Sequence, residues 1–235
     1  MKPSVLSLHP LLRQGHEHSP RPSLPTGHAV LDAALHERGW PLGALTELLS
    51  PLPGMGELRL LAPALKQALE LPGWLVLVTP PGIPHTPAWL AAGLPTDRLL
   101  VLRPDNARDW LWSVDQAARA GMPAVLAWPG RVSLTGKHLR RLQLAAEEGG
   151  RLLVISRRPG ALQEASPAAL RLLVEPQGPR LRLDILKQRG SWGGLSVDLP
   201  LPFAENPPPL LSEWCRAEAE PVPPATGTPH LSLVV

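Results

Sequence analysis

The sequence predicts an α/β domain with a doubly wound, mainly parallel sheet. Short, continuous apolar runs recur along the chain, as is typical of strands that are buried on both faces. Longer segments with apolar residues at helical spacing alternate with them, and this alternation indicates βα units. The chain has 235 residues, of which 44% are hydrophobic. That is enough for one domain of ordinary size with flexible ends.

The predicted domain begins after a polar, Pro-containing leader, which we place at residues 1–24. A first helix is predicted at 28–38, with Thr26 as its cap. An apolar strand follows at 45–49. The prolines and glycines of 50–56 require a loop. The next helix is predicted at 57–70, because four leucines recur there at helical spacing.

The same alternation predicts the rest of the domain. Strands are expected at 74–78, 99–102, 124–128 and 151–156, and helices at 86–93, 106–120 and 134–149. A short helix or turn is predicted at 167–170, before a closing antiparallel pair of strands at 172–175 and 180–187. We place the domain at residues 25–192. Residues 193–235 are rich in proline and predict a largely disordered tail, with one small helix at 210–219.

The net charge of +3 is unevenly distributed along the chain. Residues 1–130 are balanced, with ten basic and ten acidic side chains, whereas residues 131–190 hold twelve basic against five acidic ones. Residues 191–235 hold one Arg against five acids. This pattern favours a polyanion-binding face that the tail could shield. A solvated, Arg-rich surface without a partner explains it equally well.

Several classes of protein are disfavoured by the sequence. No apolar run is long enough for a membrane span, and the first thirty residues have no secretory signal. The single cysteine, Cys215, cannot form an internal disulfide, so we expect a cytoplasmic protein. His16 and His18 have the wrong spacing for a helical zinc pair. We therefore predict no metal site.

The loop at 50–56 lies where a phosphate-binding loop would lie, between a strand and a helix. Such a loop needs glycines, a Lys and a Ser/Thr hydroxyl. Ser50, Gly54 and Gly56 remain, but Glu57 stands where the basic and hydroxyl side chains should follow. A carboxylate there suits the helix dipole but repels a triphosphate. We expect a degenerate nucleotide site, no cofactor and no enzymatic activity.

The tryptophans and the basic residues give two further predictions. Five of the eight tryptophans fall in predicted elements, so we expect them in the core: Trp74, Trp89, Trp110, Trp112 and Trp128. Trp40 and Trp192 fall in loops, where core packing and exposed anchoring are both open. Six basic residues are candidate phosphate contacts for DNA, although each also fits a solvated surface. They are Arg140, Arg141, Arg157, Arg158, Lys187 and Arg189.

Four segments, at 25–48, 93–105, 151–158 and 181–190, together resemble the core of the RecA family. In order, they are similar to the lead-in to its phosphate loop, the next αβ unit, the strand before its second DNA-binding loop, and its closing strands. The resemblance covers residues 22–192 and implies a RecA-like core of the P-loop NTPase type. The chain departs from RecA at Glu57, at 79–86, which has no acid, and at Trp128, where RecA has a Mg²⁺-linked Asp. The second DNA-binding loop is also cut to 159–166.

Within this superfamily the chain most resembles the ImuA family, through residues 54–61, 124–129, 139–143, 166–172 and 186–190. That resemblance implies a non-catalytic accessory protein of SOS-induced translesion DNA synthesis. Its implied partners are ImuB, RecA and an error-prone polymerase III α subunit, and direct DNA binding is a further expectation. SulA, the cell-division inhibitor that binds FtsZ, is similar over the middle of the chain. A SulA-like inhibitor is therefore the alternative function.

Overall fold

The computed structural model describes residues 22–51, 56–178 and 180–200, and the backbone of 231–233. The strands are β1 Ser23–Leu24, β2 Trp40–Pro41, β3 Ala44–Leu49, β4 Leu75–Val78, β5 Leu99–Leu102, β6 Ala124–Ala127, β7 Leu152–Arg157, β8 Leu170–Gln177, β9 Arg180–Gln188, β10 Leu195–Pro200 and β11 Leu231–Leu233. The helices are α1 Ala29–Ala34, α2 Glu57–Ala68, α3 Thr86–Ala91, α4 Ala107–Arg119 and α5 Gly136–Gly149, with a 3-10 helix at Pro159–Gln163.

Nine of these strands form one mixed sheet, in the order β10-β9-β8-β3-β7-β6-β4-β5-β11. The six strands from β8 to β5 are parallel to one another. The strands β9, β10 and β11 are antiparallel to their neighbours. The sequence-based prediction of an α/β fold with a mainly parallel sheet is therefore confirmed. β3, which leads into the loop at 50–56, lies near the middle of this sheet.

Each face of the sheet has its own core, because side chains alternate along each strand. One face packs against α1 and α2 through Leu31, Leu60 and Leu65. The other face packs against α4 and α5 through Trp110 and Leu142. Continuous apolar strands are what this double coverage requires.

Local signals set the ends of the two longest helices. Asn106 caps α4, since its side chain accepts a 3.0 Å hydrogen bond from the backbone N–H of Asp109. Thr135 and His138 form a reciprocal capping box at the start of α5. Gly150 ends α5 with a φ of 67°, a left-handed conformation that favours glycine.

Two sequence predictions about the carboxyl-terminal part differ from the structure. The predicted helix or turn at 167–170 is wrong: this segment is extended and enters β8 at Leu170, and the helical turn lies earlier, at Pro159–Gln163. The sheet also continues beyond residue 192, since β10 pairs with β9 as far as Pro200. The predicted helix at 210–219 and Cys215 lie outside the described residues. So do His16, His18 and Gly54.

The tryptophans divide differently from the prediction. Trp89, Trp110 and Trp128 are buried as expected, and Trp74 is half-buried. Trp112, expected in the core, is 58% exposed on α4. Trp40 is fully buried in β2, so it cannot act as an exposed anchor, whereas Trp192 is 92% exposed. None of the described helices is long and apolar enough to cross a bilayer.

Candidate functional site

The loop after β3 leads into a helix whose first side chain is a buried carboxylate. Glu57 is the first residue of α2 and is 1% exposed. Ser50, at the start of the loop, is buried too, and its backbone N–H donates to the Arg157 carbonyl over 2.9 Å. An anion that approached this helix end would meet the negative charge of Glu57. The structure therefore places a carboxylate, and not a basic side chain, at the first position of this helix.

Gly56 has a packing role at this position. Its φ of 114° lies in the region that favours glycine. A Cβ at Gly56 would come within 3.0 Å of the Leu181 side chain on β9. The glycine is therefore required for the turn and for close packing on the sheet, whether or not a phosphate binds.

Neither β4 nor β6 is followed by an acidic residue. Thr79 follows β4, and Trp128 follows β6. Trp128 directly follows β6 and is 5% exposed. It packs on the same face as Leu126 and as Leu61 of α2, so its indole fills the space between sheet and helix. Its backbone N–H donates to the Val78 carbonyl, and its carbonyl accepts a 3.0 Å bond from the Trp110 indole. Residues 124–128 contain no Asp or Glu.

Thr79, at the end of β4, has a left-handed backbone with a φ of 52°. This conformation is a clear outlier for a β-branched residue. The backbone N–H of Thr79 donates to the Leu102 carbonyl over 2.8 Å, which ties the exit of β4 to β5. Residues 79–86 carry no acid that could act as a catalytic base.

A buried ionic network joins three neighbouring strands on the α4–α5 side of the sheet. Glu47 of β3 is fully buried and receives two guanidinium groups. Arg157 Nη1 of β7 lies 2.9 Å from Glu47 Oε1, and Arg171 Nε of β8 lies 2.7 Å from Glu47 Oε2. Both arginines are themselves buried. We call this set the Glu47 network.

The Glu47 network also holds the segment that connects β7 to β8. Arg157 Nη2 pairs with Glu164 Oε2 at 2.6 Å. Arg171 donates to the Ala161 carbonyl over 2.7 Å and to the Glu164 carbonyl over 3.2 Å. Each guanidinium thus has partners from both the strand and the connecting segment, which is what its burial requires.

The six predicted DNA contacts do not form one surface. For Arg157 the structure contradicts the predicted phosphate contact. The side chain is buried, and both of its terminal nitrogens are engaged by Glu47 and Glu164, so it cannot reach phosphate. Arg158 is exposed directly after it. Lys187 is exposed and donates to the Ser166 carbonyl over 2.7 Å. Burial and the nearby charge of Arg171 lower the pKa of Lys187, although Glu47 acts in the opposite direction.

The remaining predicted contacts lie elsewhere. Arg189 is half-buried beside the end of α1, where it lines a cavity of about 10 Å³, room for roughly one water molecule. Arg140 and Arg141 are exposed on α5. Arg141 is bound to Asp115 of α4 through two hydrogen bonds of 3.0 and 3.1 Å. The predicted set therefore contains two separate groups of residues. One group lies at or near the ends of strands, and the other, Arg140 and Arg141, lies on α5.

Sequence reasoning missed Glu47, Glu164 and Arg171. A signal for two of them was present, because Glu47 is the single charge of β3 and Arg171 stands among the leucines that begin β8. A charged side chain in such a strand is rarely buried unless it is paired. The partner could not be read from the sequence, since Glu47 and Arg157 are 110 positions apart.

No protein-family model matches the chain, and no curated protein matches it. Among the residues that the structure describes, no group of three or more His, Cys, Asp or Glu side chains is placed to hold a metal ion.

Proposed function

We propose that this chain is a binding protein with a RecA-like core that does not hydrolyse nucleotides. We further propose that it belongs to the ImuA family and acts as an accessory protein in translesion DNA synthesis. Its proposed partners are ImuB, RecA and an error-prone polymerase III α subunit. The mainly parallel sheet, with a loop and a helix directly after the central strand β3, is compatible with such a core.

The observation that carries the non-catalytic part is the buried carboxylate of Glu57. Phosphoryl transfer depends almost entirely on positive groups and Mg²⁺ placed around the phosphates. Here the first helical side chain is negative and buried, and the loop has no Lys in its sequence. A phosphate at this helix end would meet repulsion where an NTPase provides attraction.

The ends of β4 and β6 support the same proposal independently. The indole of Trp128 occupies apolar space between the sheet and α2, and Thr79 ends β4 in the place of an acid. Restoring hydrolysis would require a metal ligand, a base and a cation at three separate positions. A RecA-type fold without these groups retains its surfaces for partners.

The first test is capture of partners by the full chain. Immobilised protein is incubated with purified ImuB, RecA and the polymerase subunit, each alone and together. We expect ImuB and RecA to be retained. Recovery of neither would overturn the proposed role in translesion synthesis. Suppression of FtsZ assembly in a light-scattering assay would favour the SulA-like alternative instead.

The second test is ATP turnover, with and without single-stranded DNA. We expect no turnover above buffer for the wild-type chain or for Glu57→Gln, because the substitution removes a charge but supplies no Lys or Mg²⁺ ligand. Turnover by the wild type that Glu57→Gln abolishes would overturn the non-catalytic proposal. RecA serves as the active control in the same buffer.

A further inference from the structure

An exposed tryptophan lies among cations on the outer surface of α4 and α5. Trp112 is 58% exposed, although it was expected in the core. Arg108 lies one turn before it on α4, and Lys137 and Arg140 are exposed on α5. We call these four residues the α4–α5 surface.

The register of the two helices places Trp112 and Lys137 side by side. The helices run in the same direction, since each follows a parallel strand of one sheet. Asp115 pairs with Arg141 at 3.0 Å, which fixes one level of contact between them. Trp112 is one turn before Asp115, and Lys137 is one turn before Arg141. Trp112 and Lys137 therefore lie at the same level on neighbouring helices.

Charge is polarised along this pair of helices. Residues 107–113 and 136–142 hold four Lys or Arg against one Asp, whereas residues 114–119 and 143–149 hold one Arg against three acids. In the second group Arg119 contacts both Asp115 and Glu148, so much of its charge is neutralised. The half that contains Trp112 is the basic half.

The three cations of the α4–α5 surface are not used in ion pairs within the described part of the chain. Within residues 22–51, 56–178 and 180–200, Arg108, Lys137 and Arg140 form no ion pair. Arg141, in contrast, is committed to Asp115 and acts as a positioning residue. A cation without a carboxylate partner remains available for an external anion.

We propose that the α4–α5 surface binds single-stranded nucleic acid, with a base stacked on Trp112 and phosphates on Arg108, Lys137 and Arg140. Single strands are bound in this way without sequence preference, by aromatic side chains that stack on bases and cations that follow the backbone. This inference rests on the proposed function, which supplies the DNA. It assigns phosphate contact to exposed residues in place of the buried Arg157.

The surface fits a nucleic acid better than a protein. The central part of a protein interface is depleted in charged residues, and lysine is depleted in interfaces generally. Here an isolated aromatic ring has cations around it, and the nearest apolar residue of comparable exposure on these helices, Leu144, lies in the acidic half. A polyanion with flat bases complements both features.

The test is fluorescence anisotropy of a labelled 20-nucleotide oligo-dT with the full chain. We expect Trp112→Ala to weaken binding about tenfold, because stacking of one base has about this effect. Trp112→Phe should retain most of the affinity. The matched control is Trp192→Ala, which removes an even more exposed indole from the loop before β10 and should bind as the wild type does.

Salt dependence tests the cations separately. Each lost phosphate contact reduces the slope of log K against log salt by about 0.7 for a single strand. Lys137→Gln with Arg140→Gln should therefore lower the slope by about 1.4 in total. The charge control is Arg180→Gln, an exposed arginine on β9, several strands away near the β10 border of the sheet, which should leave the slope unchanged.

The outcomes separate this inference from the proposed function. Unchanged oligo-dT affinity in Trp112→Ala overturns the inference, and so does the absence of oligo-dT binding by the wild type. Loss of ImuB or RecA capture in Trp112→Ala, with oligo-dT binding intact, shows a protein-docking surface and also overturns it. If the wild type captures neither partner but Trp112→Ala weakens oligo-dT binding, the proposed function fails and the nucleic-acid surface stands.

Discussion

The chain contains two clusters of paired charges that differ in burial and therefore in what their charges can do. In the Glu47 network, one carboxylate and two guanidinium groups are buried between strands. In the second cluster, which joins α4 to α5, Asp115 is buried, but the side chains of Arg119 and Arg141 remain 33% and 45% exposed. Burial commits every partner of the first cluster to holding the fold. The arginines of the second cluster are partly exposed. This cluster lies beside the cations of the α4–α5 surface, which solvent and ligands can reach.

The largest expected effect is in the Glu47 network. Glu47→Gln leaves two buried guanidinium groups without their shared counter-charge, and loss of one partner from a buried pair costs about 3–5 kcal/mol. We expect the free energy of unfolding to fall by that amount in urea titrations followed by tryptophan fluorescence. A loss below about 1 kcal/mol would remove the contrast between the two clusters.

A smaller effect is expected for Asp115→Asn. Burial raises the pKa of Asp115, but hydrogen bonds and charge from Arg141 and Arg119 outweigh it and hold this pKa below its usual value. With its arginines partly exposed, we expect a loss of about 1–2 kcal/mol at pH 7.

The same variant gives a pH test with a defined sign. A lowered folded-state pKa contributes stability above the unfolded value of about 3.9, and that contribution is lost as the pH falls through the folded pKa. The difference in unfolding free energy between wild type and Asp115→Asn should thus be largest near neutral pH and shrink below about pH 4. A difference that grows in acid would contradict this assignment.

The smallest effect is expected for a pair in which both partners are partly exposed. Arg182 and Asp184 on β9 approach to 3.2 Å, with 41% and 27% of their side chains exposed. Exposed pairs contribute about 0–1 kcal/mol, so Arg182→Gln should change the unfolding free energy little. It is also the control for Glu47→Gln, since both substitutions remove one charge from a strand of the same sheet.

The strands that continuous apolar runs predicted are present, because burial on both faces imposes such runs. β10 was missed, although Leu195, Val197 and Leu199 alternate with polar residues as an edge strand would. Nearby glycines and prolines favoured a disordered tail in the sequence analysis. β10 pairs with β9, which directly precedes it in the chain, and it also lies against α1, a contact that the sequence does not reveal.

The candidate sites were predicted less completely than the fold. The buried position of Trp110 and the exposure of Trp112 follow from helix geometry, since the two side chains lie about 200° apart. That geometry was available from the sequence. In contrast, the burial of Arg157 depends on Glu47 and Glu164, which only the folded sheet and its connecting segment bring together.

The width of the sheet has a consequence for simultaneous binding. Nine strands at about 4.8 Å spacing separate the outermost strands by about 38 Å. A twist of about 20° per strand turns one border by about 160° relative to the other. For β10 and β5, which are seven intervals apart, the same twist gives about 140°. Two large molecules could occupy the two borders of this small protein at once without colliding.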